Sequence, residues 1–166
     1  MEDKAGILER LTSTRPLWLL FIATVLITLC FPVISSIWGI VFIDAISSPE
    51  EVRMVIADMT QEQRVVHAWT TATVDVAYPL AYGFYFAATT LRFFPQYGKY
   101  LAVLPLLAIP VDICEGIVQV MALMDVADFI GAKAILTPVK SILFLAGFFF
   151  SVAAWFKWVY GKVMSR

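Results

Sequence analysis

Residues 17–46 read LWLLFIATVLITLCFPVISSIWGIVFIDAI, with no charged side chain before Asp44. A helix crosses the hydrocarbon core of a bilayer in about 20 predominantly apolar residues. This run is longer than that, and far longer than the apolar core of a signal peptide, about 7–15 residues. It also lacks a small-x-small cleavage signature, so it is expected to remain as a membrane span, Leu17–Ile46. Three further runs qualify in the same way: His67–Phe93, Tyr100–Met124 and Pro138–Tyr160. The expected fold is therefore an all-α integral membrane protein, a four-transmembrane-helix bundle forming a single membrane domain over residues 1–166.

Composition points the same way. The chain is 61% hydrophobic and 15% charged, with a mean hydropathy of +0.84. Soluble domains are about half apolar and about a quarter charged, so a water-soluble enzyme is excluded. The net charge of −1 gives no reason to expect a nucleic-acid partner. Cys30 and Cys114 lie in apolar runs without CxxC spacing, so neither a disulfide framework nor a thiolate metal site is expected. With Leu29 before it, Cys30 is a poor lipoprotein cleavage site.

The connections carry their own signals. Ser48-Pro49-Glu50-Glu51 is a capping box with proline at the first helical position. It predicts a short interfacial helix over residues 49–59, between the first two spans. Thr60-Gln61-Glu62-Gln63 repeats the pattern and marks the start of the second span. Phe94-Pro95-Gln96-Tyr97-Gly98 predicts a tight turn, and Gly131 a helix terminator before the last span. Pro32, Pro79, Pro105 and Pro110 each remove an amide donor and are expected to kink their spans.

Orientation follows from the basic residues of the short loops. Lys4, Arg10, Arg15, Arg92, Lys99, Lys157, Lys162 and Arg166 fall on one side. Arg53, Arg64 and Lys133 fall on the other, with Lys140 at the edge of its span. Both termini are thus expected in the cytoplasm, and the short loops suggest a bacterial inner membrane. Trp18, Tyr97, Trp155, Trp158 and Tyr160 gather near the cytoplasmic boundary, and Trp69 near the other.

Ionisable residues inside a span are costly and usually face the bundle interior or a wet cavity. Asp75, Asp112, Glu115 and Lys140 lie within spans, and Asp44 lies near the outer end of the first. Counted from Arg92, Lys99 and Lys157, the residues Asp75, Glu115 and Lys140 each stand roughly 25 Å deep at helical rise. Thr71, Asp75, Tyr78 and Tyr82 share one helical face; Asp112, Glu115 and Gln119 share another; Thr137, Lys140, Ser141 and Phe144 a third. These stripes predict a polar cavity in the non-cytoplasmic half, with Asp44 and His67 at its rim. One lysine among four carboxylates would leave about −3 if all were ionised, so at least one carboxyl is expected to hold a proton.

The layout resembles the four-helix superfamily of sterol isomerases and sigma-2-like receptors, through Asp44 closing the first span and Asp75-Val76-Ala77-Tyr78-Pro79 in the second. That resemblance implies cytoplasmic termini, a longer first loop with helical character and an acid-lined pocket. The Asp112-Ile113-Cys114-Glu115 run matches no motif of that superfamily.

Four functions stay open. In the first, the cavity binds a small amphipathic or cationic molecule or a lipid, with Asp75 and Glu115 on the charged end, Asp112 protonatable, and Tyr78 and Tyr82 on the apolar end. In the second, Asp112 and Glu115 are the acid and base of an isomerase-like enzyme acting on a lipid or sterol-like substrate. In the third, the chain is a proton- or ion-coupled transporter. In the fourth, it is an accessory or assembly subunit whose polar stripes meet a partner membrane protein. The bilayer itself is the expected surrounding, and a homo-oligomer is open. No cofactor is expected. No metal is expected either, because HxxxH, ExxH and CxxC spacings are absent. Gly83 with Ala87, and Gly147 with Ser151, give small-xxx-small spacing suited to close helix packing.

Overall fold

The structure, a computed structural model, describes residues 12–164, and the regular structure among them is helical throughout. Lys4, Arg10 and Arg166, three of the charges behind the expected orientation, lie outside the described residues. The helices are α1 (Thr14–Trp38), α2 (Pro49–Asp58), α3 (Gln61–Phe93), α4 (Gly98–Leu101), α5 (Val103–Leu123) and α6 (Lys133–Met164), with a 3-10 turn at Ile130–Ala132. Thr14–Trp38, Gly98–Leu123 and Ile130–Met164 are long and apolar enough to cross a membrane. α3 does not join them, because Gln, Glu, Arg, Thr and Asp interrupt its apolar residues. It is instead the central element, packed against α1, α5 and α6.

Each helix boundary has a local cause. The first apolar run stops being helical at Trp38, not Ile46. Gly39 takes the left-handed conformation (φ 61°) and returns its amide to the Ser35 carbonyl. The Ser35 hydroxyl then donates to the Ile40 carbonyl at 2.7 Å, which turns residues 40–48 back as non-helical chain. Ile40 and Ile43 in that segment are almost wholly buried. α2 begins as its sequence indicates, with Pro49 at its start and the Ser48 hydroxyl accepting from the Glu51 amide. α3 carries a complete capping box, Thr60 with Gln63, and so starts six residues before His67.

Three further features differ from expectation. The helix after the tight turn breaks at Ala102, since Pro105 has no amide to return to Leu101. α5 is stopped at Met124, where the following residue, Asp125, takes a positive φ of 55°; Gly131 instead sits inside the 3-10 turn. α6 starts at Lys133, not Pro138. The Asp128 carboxylate accepts from the Ile130 amide at 3.0 Å and so organises a turn ahead of the helix. Pro138 is consequently interior to α6.

Small residues let the helices approach closely. A Cβ at Gly83 of α3 would stand 2.7 Å from Ile109 Cγ1 and 3.1 Å from the Pro105 carbonyl; one at Gly147 of α6 would stand 2.9 Å from both Phe86 and Pro105. The two small-xxx-small faces therefore converge on Pro105 inside the bundle. Outwards, α6 shows Ile135, Ile142, Phe149, Phe156 and Val163 at seven-residue intervals, each more than 60% exposed. α1 likewise leaves Leu19, Leu26, Leu29, Val33 and Ile37 more than half exposed. Apolar stripes this long belong against lipid, not water.

At the end of the bundle away from the termini, α2 is tied to the α5–α6 connection. Arg53 pairs with Asp128 at 2.8 Å, and Arg64, also bonded to the Ile56 carbonyl, pairs with Asp125 at 3.0 Å. The Arg53 guanidinium and the Ile130 amide hold the Asp128 carboxyl below the usual carboxylate range.

Replacing Gly147 by Leu should destabilise the fold by about 1–3 kcal/mol through overpacking, whereas Gly131→Ala, with open space around it, should leave thermal unfolding in detergent unchanged. Equal shifts from both would refute the close approach. Because the folded Asp128 pKa lies below its unfolded value near 3.9, its stabilising effect is complete above that pH and is lost as pH falls through the folded value. Limited proteolysis around α2 should therefore speed up on acidification, and in Asp128→Asn it should already be fast at neutral pH.

Candidate functional site

Three helices bring their polar faces together in the half of the bundle away from the termini. On α5, Asp112, Glu115 and Gln119 are all buried, as are His67, Thr71 and Asp75 on α3. Gly116 lets these faces approach, since a Cβ there would stand 3.3 Å from Thr71 Cγ2. From α6 come Lys133, Thr137 and Lys140, spaced four and three apart and so on one side of the helix.

Glu115 is the centre of the arrangement and has no exposure. Its Oε1 accepts hydrogen bonds from the Lys133 ammonium and, at 2.5 Å, from the Thr137 hydroxyl. Its Oε2 lies 2.5 Å from Lys140 Nζ, and that ammonium also reaches Asp112 Oδ1 at 3.0 Å. Asp112 Oδ2 in turn accepts from the Tyr82 hydroxyl at 2.9 Å. An uncompensated charge at this depth would cost several kcal/mol. Here the charges are matched: Lys133 and Lys140 against Glu115 and Asp112.

Lys133 is the residue sequence reasoning missed. It counts there as a loop charge, yet it is fully buried. The signal was available, because Lys133, Thr137 and Lys140 repeat the same four-three spacing that marks the other two stripes. With α6 starting at Lys133, Lys140 stands in the second turn and points inward, not towards the interface.

The other two carboxylates are placed differently. Asp44 comes from the non-helical return after α1 and accepts from Gln119 Nε2 at 3.2 Å. His67 Nε2 stands 4.0 Å from its other oxygen. Asp75 is buried on α3 and lines the same cavity wall as Asp44, Asp112 and Lys140. Among the described residues, neither Asp44 nor Asp75 has a lysine or arginine within ion-pair distance. His67, expected at the rim, is instead wholly buried, edge-on to Phe42 at 4.9 Å, with both ring nitrogens unbonded.

These residues border a cavity of about 490 Å³, within the usual size of small-molecule sites. Asp44, Asp75, Asp112 and Lys140 supply its polar wall; Phe31, Phe42, Tyr78, Tyr82 and Phe144 supply most of the rest. Glu115, Gln119 and His67 lie behind that wall. The Tyr78 and Tyr82 rings meet edge-to-face at 5.1 Å, and Phe31 adds a second edge contact to Tyr78 at 5.7 Å. Among the described residues no three His, Cys, Asp or Glu side chains converge closely enough to hold a metal ion. Comparison with family models, curated proteins and solved structures finds no match.

Breaking the central pair from either side should leave a buried charge unmatched. Lys133→Met and Glu115→Gln should each cost about 3–5 kcal/mol, while the double variant, which keeps Lys140 with Asp112, should cost less than the sum. Additive losses in thermal unfolding would show that Lys133 and Glu115 do not act as a pair.

Proposed function

We propose that the chain is a four-span protein of a bacterial inner membrane, with α1, α3, α4–α5 and α6 crossing, both termini in the cytoplasm and α2 on the opposite membrane surface. Its cavity binds an amphipathic organic cation or an amine-bearing lipid. The observation that carries this reading is the charge pairing. Glu115 and Asp112 are neutralised by the two lysines, whereas Asp44 and Asp75 share the cavity wall with no lysine or arginine, among the described residues, at ion-pair distance. Two carboxylates close together in a low-dielectric site repel, and an ammonium between them relieves that repulsion and gains charge-assisted hydrogen bonds. The faces of Phe31, Phe42 and Tyr78 favour a cation as well, and the remaining apolar wall suits a hydrocarbon body.

In this assignment Asp44 and Asp75 hold the charged end. Glu115 serves as the support that keeps Lys140 against Asp112, and Tyr78 and Tyr82 flank the apolar end. Native mass spectrometry of gently extracted protein, titrated with dodecylammonium, should show saturable binding. Asp44→Asn and Asp75→Asn should each weaken it about tenfold or more, and Asp128→Asn, outside the cavity, should not. Unchanged binding in both cavity variants would overturn the assignment, and a stoichiometric protein partner in place of a small ligand would favour the assembly-subunit reading.

A further inference from the structure

α1 packs along α3 and makes no comparable contact with α6. The ring contact of Trp18 with Trp155, at 5.8 Å, brings α1 and α6 together near the chain termini. Beyond that point a seam runs between the two helices, floored by α3. The acid-lined cavity opens at one end of the seam, with Phe31 on α1 facing Phe144 and Leu145 on α6. At the other end lies a second cleft of about 380 Å³, walled by Trp18, Phe21, Phe86, Phe148, Val152 and Trp155. Its wall also includes Ser151, which is 3% exposed and whose hydroxyl has no hydrogen-bond partner in the protein.

The two spaces adjoin at one set of aromatic rings. Phe144 lines the first, and its ring contacts Phe86 at 5.6 Å and stacks on Phe148 at 6.4 Å, both of which line the second. Tyr82 of the first likewise meets Phe86 at 5.7 Å. Along α3, Asp75 to Phe86 is eleven residues, or about 16 Å at helical rise. Carboxyl groups thus stand at one end of the tract and an apolar cleft at the other, in the arrangement of a headgroup and its chain. Ser151 keeps the floor of the cleft low, since a larger side chain there would fill it.

We infer that the two spaces form one tract for a single long-chain amphiphile, its cationic head between Asp44 and Asp75 and its hydrocarbon tail laid past Phe144 into the Ser151 cleft. The inference rests on the cation-binding reading above and adds the class of ligand: a long-chain amine, in preference to a compact one. The tail lies in the seam between α1 and α6, so the molecule enters sideways from the bilayer.

Two photoreactive hexadecylammonium probes test this on the full chain in phosphatidylcholine vesicles, one with a diazirine beside the amine and one with it at the chain end. Peptide mapping should place the head probe at residues 75–82 or 140–145 and the terminal probe at residues 148–155. Both signals should be competed by excess unlabelled hexadecylammonium. Ser151→Phe, or Val152→Trp as a second way to fill the cleft, should remove at least about nine-tenths of the competed terminal label and leave the head label in place. Retained head labelling also shows that the variant is folded. A competed head label without a competed terminal label in that segment overturns the tract and leaves the cation site standing. Absence of any competed label from either probe overturns both.

Discussion

Everything in the half of the bundle away from the termini depends on holding one glutamate in the dark. Glu115 has no contact with solvent, so its charge has to be met by protein groups, and it takes three from a single helix: Lys133, Thr137 and Lys140. That requirement fixes the rotation of α6 against α5 more tightly than apolar packing can, since lipid tails compete equally well for leucine and phenylalanine. With α6 fixed, Lys140 is delivered to Asp112, Asp112 orients the Tyr82 hydroxyl, and the tyrosine ring becomes a wall of the cavity. The polar network is thus a scaffold for an aromatic one.

The helices were legible in the sequence in part: three of them are long and apolar enough to cross a membrane, whereas α3 is too polar to qualify by that measure. The capping boxes at Ser48 and Thr60 announce the starts of α2 and α3. The boundaries that went astray share one cause. Leu17–Ile46 and Pro138–Tyr160 were drawn by hydropathy, and hydropathy cannot register a left-handed glycine followed by a serine–carbonyl bond, or an aspartate capping a turn eight residues upstream of an expected start. The site was readable to the extent that it followed helical periodicity. Asp75, Tyr78, Tyr82, Asp112 and Lys140 share the cavity wall, while Lys133 was hidden because a lysine near a glycine-containing loop looks like a surface charge. His67 was misjudged for the same reason: nothing local distinguishes a buried imidazole from an interfacial one.

The bundle is unevenly bound together. α3, α5 and α6 meet at Pro105, where two glycines remove the side chains that would hold them apart. α1 leans mainly on α3 and keeps most of its residues exposed. Its ties include Leu17 in the core, Trp18 against Trp155, Phe31 against Tyr78, and Arg92 reaching across to Thr14. A three-helix body with one neighbour packed chiefly along α3 is the arrangement that the proposed entry from the bilayer requires.

The order of charges along the chain also bears on how such a protein is made. Asp75, Asp112 and Glu115 all leave the ribosome before Lys133 and Lys140 do, and domains of a nascent chain form from the N-terminus onward. Until the last helix arrives, α5 carries two carboxyl groups with no cation to answer them. A chain without α6 therefore leaves Asp112 and Glu115 without their lysine partners. The lysines of α6 are in this sense a completion signal: the same contacts that shape the pocket distinguish a whole molecule from a fragment.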